Sequence, residues 1–189
     1  MADTVINEIV GDFRFRSVTP ADKDLFMSVR SEASDIAGFY RAYPDFSEYR
    51  WKQILEDEKD LSMVVFSLPD NRFVGTCSFQ GLQKDTLELG YDVVKEYRGK
   101  GIGTKMVRSL VALAHSVFPE REVFIRVRKD NTASCRVAEK CGGVFLGMAD
   151  VPEIEILQKS LEENGPVPIS AETRALIERA RNTVRVYKV

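Results

Sequence analysis

Residues 97–104 read Tyr-Arg-Gly-Lys-Gly-Ile-Gly-Thr, and glycines interleaved with basic residues point to phosphate chemistry. Glycine lets successive backbone N–H groups turn inward with no Cβ in the way. The segment lies between a strand-like run and the most clearly amphipathic helix of the chain, so its end is a helix N-terminus. Such a terminus offers N–H donors without helical partners and roughly half a positive charge. Arg98 and Lys100 place full charges beside it. A phosphate or diphosphate suits this combination.

Spacing narrows the ligand. A Walker loop requires GxxxxGK[ST], and no such string occurs. A dinucleotide fingerprint requires GxGxxG, but counting from Gly99 puts Thr104 in the last place. The acidic partner of that fingerprint, about 20 positions on, would be Glu120 or Glu122. Both precede the apolar run EVFIRVR instead of closing it. A glycine-rich turn without a ligand is the plain alternative.

The elements that must position the loop follow from hydrophobic period. DFRFRSV (12–18) alternates and reads as an opening strand. Thr19 followed by Pro20 reads as a helix N-cap with proline at the first position. A second helix is expected over about 46–58, with Tyr49, Ile54 and Leu55 among its apolar positions. LSMVVFSL, RFVGTCSFQ and TLELGYDVV are three strands separated by turn residues, and such short links allow only an antiparallel meander. Over 101–118, Met106, Val107, Leu110, Val111, Leu113, Ala114, Val117 and Phe118 fall within an arc of about 160° at 100° per residue. EVFIRVR then makes 86–128 a strand–helix–strand crossover. A helix from Thr132 to Lys140 ends at Cys141-Gly142-Gly143, VFLGM restarts a strand, and VRVYKV closes the chain. Between the last two strands, Ile154, Leu157 and Leu161 have helical spacing, and Ser170 caps a further helix reaching about Arg181.

Composition excludes several classes. Twenty-seven basic against 29 acidic residues leave a net charge of −2, far from the field of a general nucleic-acid binder. The basic cluster Lys95, Arg98, Lys100, Lys105, Arg108 lacks interleaved aromatic residues for base stacking. No apolar run approaches the ~20 residues of a membrane span, and MADTVINEIV has no signal-type core. Cys77, Cys135 and Cys141 contain no CxxC pair, which argues against a disulfide scaffold and a structural zinc site. One domain over 1–189, cytoplasmic, without metal, nucleic acid or membrane, is the expectation; a homodimer is left open. His115 falls on the polar side of its helix and reads as a surface residue.

Arg98-x-x-Gly101-x-Gly103 resembles the diphosphate-binding signature of the GNAT superfamily of acetyl-CoA-dependent N-acetyltransferases. LELGYDVV precedes it, and Asn131-x-x-Ser134, then Glu139-Lys140-Cys141-Gly142, follow about 28 residues later. These features are similar to the subgroup that contains the acetylases of ribosomal-protein N-termini. The likeness covers 86–147 and extends over a core of 13–150; beyond Asp150 only the closing strand at 184–189 matches. The resemblance implies an α/β (α+β) fold with a mixed, mostly antiparallel sheet whose central strands splay. The helical insertion at about 152–183 is expected, from its placement between the last two strands, to cover or flank the acceptor side.

It also implies a reaction: direct attack of a primary amine on acetyl-CoA in a ternary complex. The acceptor is a protein N-terminus or a small-molecule amine. Carried over residue by residue, Asp92, Val93 and Val94 splay to pair with pantetheine, and an N–H near Val94 faces the thioester oxygen. Arg98, Gly99, Lys100, Gly101, Ile102, Gly103 and Thr104 hold the diphosphate, and Asn131 contacts the pantetheine arm. Glu88, six residues before Val94 and on the same strand face, is the candidate base. Ser134 is the candidate proton donor to the thiolate. Asn131 and Ser134 each have a plainer role as helix-start residues, and Glu88 as part of a solvated strand face. Many GNAT enzymes carry an acidic tyrosine seven residues after the asparagine; that place is Ala138 here, so the tyrosine role does not transfer. The missing tyrosine keeps a second reading alive, a GNAT-like domain that senses acyl-CoA without catalysis.

Overall fold

In the computed structural model, which describes residues 5–33, 44–151, 175, 178 and 181–189, the alternating opening segment is strand β2 (Phe13–Ser17). Its Phe13 and Phe15 are buried. Before it runs β1 (Asn7–Val10), a strand that pattern reading did not locate. Its side chains are exposed or half-buried, so no burial period marks it. Val10 lies opposite Phe13 across a two-residue turn in which Gly11 has φ 60°, the conformation such turns ask of glycine.

Three strands follow as the antiparallel meander expected: β3 (Asp60–Ser67), β4 (Arg72–Gln80) and β5 (Thr86–Val93). β2 pairs antiparallel with β3, and β6 (Glu122–Arg128) pairs parallel with β5. Three helices accompany them: α1 (Lys23–Ala33), α2 (Pro44–Leu55) and α3 (Ile102–Val117). The chain divides into two compact units, 1–124 with Val189, and 125–188. In the first, the strand order is β1-β2-β3-β4-β5-β6.

Each sheet face of the first unit has its own cover. Cross-strand partners share a face, so Met63, Cys77 and Tyr91 form one row, and Leu61, Phe79 and Leu89 the next. Phe79 meets the Phe118 ring edge-on just after α3, with centroids 5.7 Å apart. On α3 the buried residues are Met106, Val107, Leu110, Leu113 and Ala114, the centre of the expected arc. Val64 marks the opposite face, where it clusters with Phe26 of α1 and Trp51 of α2. The expected apolar set of α2 needs correction: Trp51 is buried, while Tyr49 and Leu55 are 58% and 36% exposed. The helix also starts earlier and stops earlier than expected. Pro44 occupies its first position, and the Asp57 carboxylate accepts from the Lys59 N–H at 2.8 Å, turning the chain toward β3.

Among the described residues, the best-buried carboxylate lies at the start of α1. A 3-10 turn, Pro20–Asp22, leads into the helix. Asp22 takes Arg16 in a two-pronged pair at 2.9 and 2.6 Å, and accepts from the Thr19 N–H and hydroxyl at 2.7 Å each. The Arg16 guanidinium, helped by Thr19, outweighs burial and lowers the Asp22 carboxyl to about 2. A depressed carboxyl contributes stability that is fully present above its unfolded pKa of 3.8 and is lost as pH falls through about 2. Asp22→Asn should therefore cost about 2 kcal/mol at pH 7. Urea unfolding at pH 7 and below pH 3 checks this: the gap between wild type and variant should shrink in acid.

The second unit holds the remainder of β6, helix α4 (Thr132–Lys140), β7 (Val144–Ala149) and β8 (Val184–Lys188), with strand order β6-β8-β7. β7 and β8 are antiparallel. α4 ends as expected at Gly142, φ 89°; the Gly143 N–H bonds Ala138 O at 3.0 Å and the Gly142 N–H bonds Glu139 O at 3.1 Å. Of the helical insertion, Ala175 and Glu178 are helical; Ile154, Leu157, Leu161 and Ser170 lie outside the described residues.

Candidate functional site

The loop that joins β5 to α3 is built from three local devices. Val94 begins a 3-10 turn, Lys95–Tyr97, in which the Tyr97 N–H bonds Val94 O at 2.9 Å. Gly99 and Gly101 then take φ of 74° and 80°, a region in which a side chain strains the backbone. Ideal Cβ atoms at both would meet nothing within 4 Å, so glycine is required here by conformation and not by crowding. Gly101 is the N-cap of α3, and the first helical bond is Lys105 N–H to Gly101 O at 3.2 Å. Ile102, Gly103 and Thr104 form the first turn, which contains no acidic residue. Arg98, Gly99, Lys100 and Gly101 are exposed. Exposed cations beside an acid-free helix start make this bend a place suited to an anion.

β5 carries the loop on a strand with two unlike edges. Toward β4 its ladder runs from Glu88 opposite Gln80 to Val93 opposite Gly75. Toward β6 the parallel ladder covers Thr86–Glu88, facing Glu122–Phe124. The β4 ladder thus continues five residues past the end of the β6 ladder. The Val94 N–H donates to Val74 O at 3.0 Å, so this amide belongs to the β4 edge. Of the amides near Val94, that of Val94 itself is therefore committed to β4. Amides alternate between the edges of a strand, and those of Leu89, Tyr91 and Val93 accordingly lie on the β6 edge. The Val93 carbonyl, on the same edge, accepts from Arg98 Nε at 2.7 Å. The signature arginine therefore ties the loop back to the end of β5, a contact that no sequence pattern announces.

Glu88 is half-buried at the last residue of the β6 ladder. It shares its sheet face with Gly90 and Asp92 and, across the ladder, with Gln80, Ser78 and Thr76. This is the face of Val64 and the α1–α2 cluster. Thr76 and Ser78 are buried hydroxyl residues there, and Gln80 Nε2 donates to Ser78 Oγ at 3.0 Å.

Asn131 and Ser134 belong to the second unit. Asn131 is the N-cap of α4, its Oδ1 accepting the Ser134 N–H at 3.1 Å, which is the plain capping role. Ser134 is half-buried. Ala138, where a tyrosine would stand, is fully buried. Tyr187 is the buried phenol of this unit; its hydroxyl donates to Glu139 Oε1 at 3.2 Å. His115 is exposed, as expected of a surface residue. Cys77 and Cys135 are buried and Cys141 is half-buried, all as free thiols, and burial pushes the Cys77 thiol far up. Among the described residues no three of His, Cys, Asp and Glu group as metal ligands, and no helix is long and apolar enough to cross a membrane.

Known proteins resemble this chain in sequence and in fold. A family model described as an acetyltransferase (GNAT) domain matches residues 12–144. A probable N-acetyltransferase of Bacillus subtilis, YjcK, is 30% identical over 95 residues, 49% of this chain; the match spans about half, 52%, of that relative's length. Among solved structures, RimL, a ribosomal L7/L12 α-N-protein acetyltransferase in complex with coenzyme A, superposes with TM-score 0.66 at 16% identity, covering 97% of both chains. A chimera of spermidine N-acetyltransferase SpeG from Vibrio cholerae gives TM-score 0.63 at 15% identity, covering 94% of this chain and 93% of that one. With that family model spanning most of the chain, the chain belongs to the GNAT acetyltransferase family.

Proposed function

We propose that the protein is an N-acetyltransferase that moves the acetyl group of acetyl-CoA to a primary amine by direct attack in a ternary complex. The single observation that carries this reading is the bend at 98–104, with left-handed Gly99 and Gly101 and an acid-free first turn of α3, hung directly from the end of β5. Backbone amides of Ile102, Gly103 and Thr104 hold the diphosphate, with Lys100 adding charge. Pantetheine extends along the β6 edge of β5 past Glu88, as an added strand would. On that edge the Val93 N–H meets the thioester oxygen. Asn131 contacts the pantetheine arm.

Acetyl-CoA supplies an activated acyl carbon; the chain supplies position and proton transfer. The neutral amine nitrogen bonds to the carbonyl carbon, its surplus proton passes to Glu88 directly or through water, and the carbon–sulfur bond breaks; the thiolate takes a proton from Ser134, which is reprotonated from solvent as Glu88 gives its proton up to solvent. The acceptor is a peptide α-amine or a small-molecule amine; the SpeG and RimL neighbours are named for one of each. Free cysteines fit a reducing, cytoplasmic setting.

Thiol release from acetyl-CoA, followed with a free-α-amine peptide, spermidine and an aminoglycoside, tests the proposal. Turnover with at least one amine is the expected result. Binding of acetyl-CoA without turnover across the panel would favour the sensor reading, which the buried Ala138 in place of a tyrosine keeps in view. No binding at millimolar coenzyme would end both.

A further inference from the structure

At Gly75 the backbone of β5 comes closer to β4 than a side chain permits. Gly75 lies opposite Val93, and a Cβ built on Gly75 overlaps the carbonyl oxygen of Asp92. It would also stand 3.2 Å from the Asp92 carbonyl carbon and from Val93 Cα. All three are backbone atoms, so no rotamer change relieves the overlap. Gly75 has no left-handed φ, in contrast to Gly99 and Gly101. An alanine there is conformationally admissible, and the contact with β5 is the sole objection to it.

The close approach has a visible origin. Along β3 and β4, Val65 faces Gly75 and Phe66 faces Phe73, so Val74 is an extra residue in β4. Such a bulge bends its strand and increases local twist. Val74 O, on the bulged residue, accepts the Val94 N–H at 3.0 Å. The bulge and the absent side chain of Gly75 thus act together on residues 92–94. A glycine inside a strand weakens it unless another backbone must come close, and here one does.

We propose that Gly75 is a positioning residue for acyl transfer: its bare backbone lets β4 seat Asp92 and Val93, so that the Val93 N–H on the far edge stands where the thioester oxygen arrives. This rests on the acetyl-CoA reading above. Misplacing a positioned group by about 1 Å costs on the order of 10²-fold in rate.

The test compares wild type with Gly75→Ala by calorimetry, using acetyl-CoA and 3′-phospho-ADP, which has the diphosphate and lacks pantetheine. Turnover is measured at saturating amine. The expected result is a split. In the variant, 3′-phospho-ADP binds within about twofold of wild type, while kcat falls roughly 10- to 100-fold. A general loss of structure would weaken both ligands alike, and that outcome, or unchanged kcat, overturns the proposal. A measurement on wild type stands apart from the variant's folding: acetyl-CoA should slow amide exchange at Val93, and 3′-phospho-ADP should not. Equal exchange with both ligands overturns it too. If wild type binds no acetyl-CoA, the parent reading falls, and this one with it.

Discussion

Replacing Gly101 with valine is expected to weaken coenzyme A binding by about 10- to 100-fold while leaving the core intact. The residue sits at φ 80°, and an ideal Cβ there touches nothing within 4 Å. Space is therefore no obstacle; the backbone is. A side chain in the left-handed region costs roughly 1–2 kcal/mol, and a β-branched one is worse. At 1.4 kcal/mol per tenfold, that strain is enough to open the bend and scatter the amides proposed to hold the diphosphate. The same cause sets an order among variants. Asparagine tolerates the left-handed region, so Gly101→Asn should lose less than about fivefold, alanine more, and valine most. Isothermal calorimetry with coenzyme A ranks the three. If asparagine and valine weaken binding equally, the bend matters through crowding of the ligand, and the conformational account of the loop is wrong. If valine changes nothing, the loop does not hold the diphosphate.

Glu88→Gln should lower kcat/KM by roughly 10²- to 10⁴-fold toward a strongly basic amine, the usual contribution of a positioned general base. The substitution keeps the shape and removes only the ability to take a proton. A lysine-type amine, pKa ~10.4, costs about 4.6 kcal/mol to deprotonate at pH 7, whereas an α-amine near ~7.8 costs about 1.1. The α-amine should consequently suffer a smaller loss. Raising the pH should restore the variant's rate about tenfold per unit until the amine's own pKa is reached. A kcat/KM profile from pH 6 to 10, with both amine types, decides the point. Unchanged turnover with chemistry limiting removes Glu88 from the mechanism. Its place at the end of the β6 ladder, opposite Gln80, motivates the experiment.

Residues whose structure is dictated locally were legible before any coordinates. β4 and β6 fall at 72–80 and 122–128 as their apolar runs indicate, and α4 spans Thr132–Lys140 between its asparagine cap and its glycine stop. β1 escaped because NEIV buries no clear face, leaving no period to read. The Asp22 pair was likewise invisible: Arg16 reaches it from a strand that sequence alone joins to nothing. At the site, the glycine bend was readable from composition and spacing. The edge of β5 that each N–H occupies was not, because it depends on strand register.

Residues 98–104 by themselves determined that an anion could be held, since left-handed glycines, nearby cations and a helix start are properties of a short segment. Only the tertiary structure decided which backbone groups stand beside that segment. Strand register committed the Val94 amide to Val74 and assigned that of Val93 to the other edge, and it set Gly75 against the Asp92 carbonyl. Register arises from pairing between distant parts of the chain, and a slip of one residue exchanges both faces and edges. No local pattern contains that information.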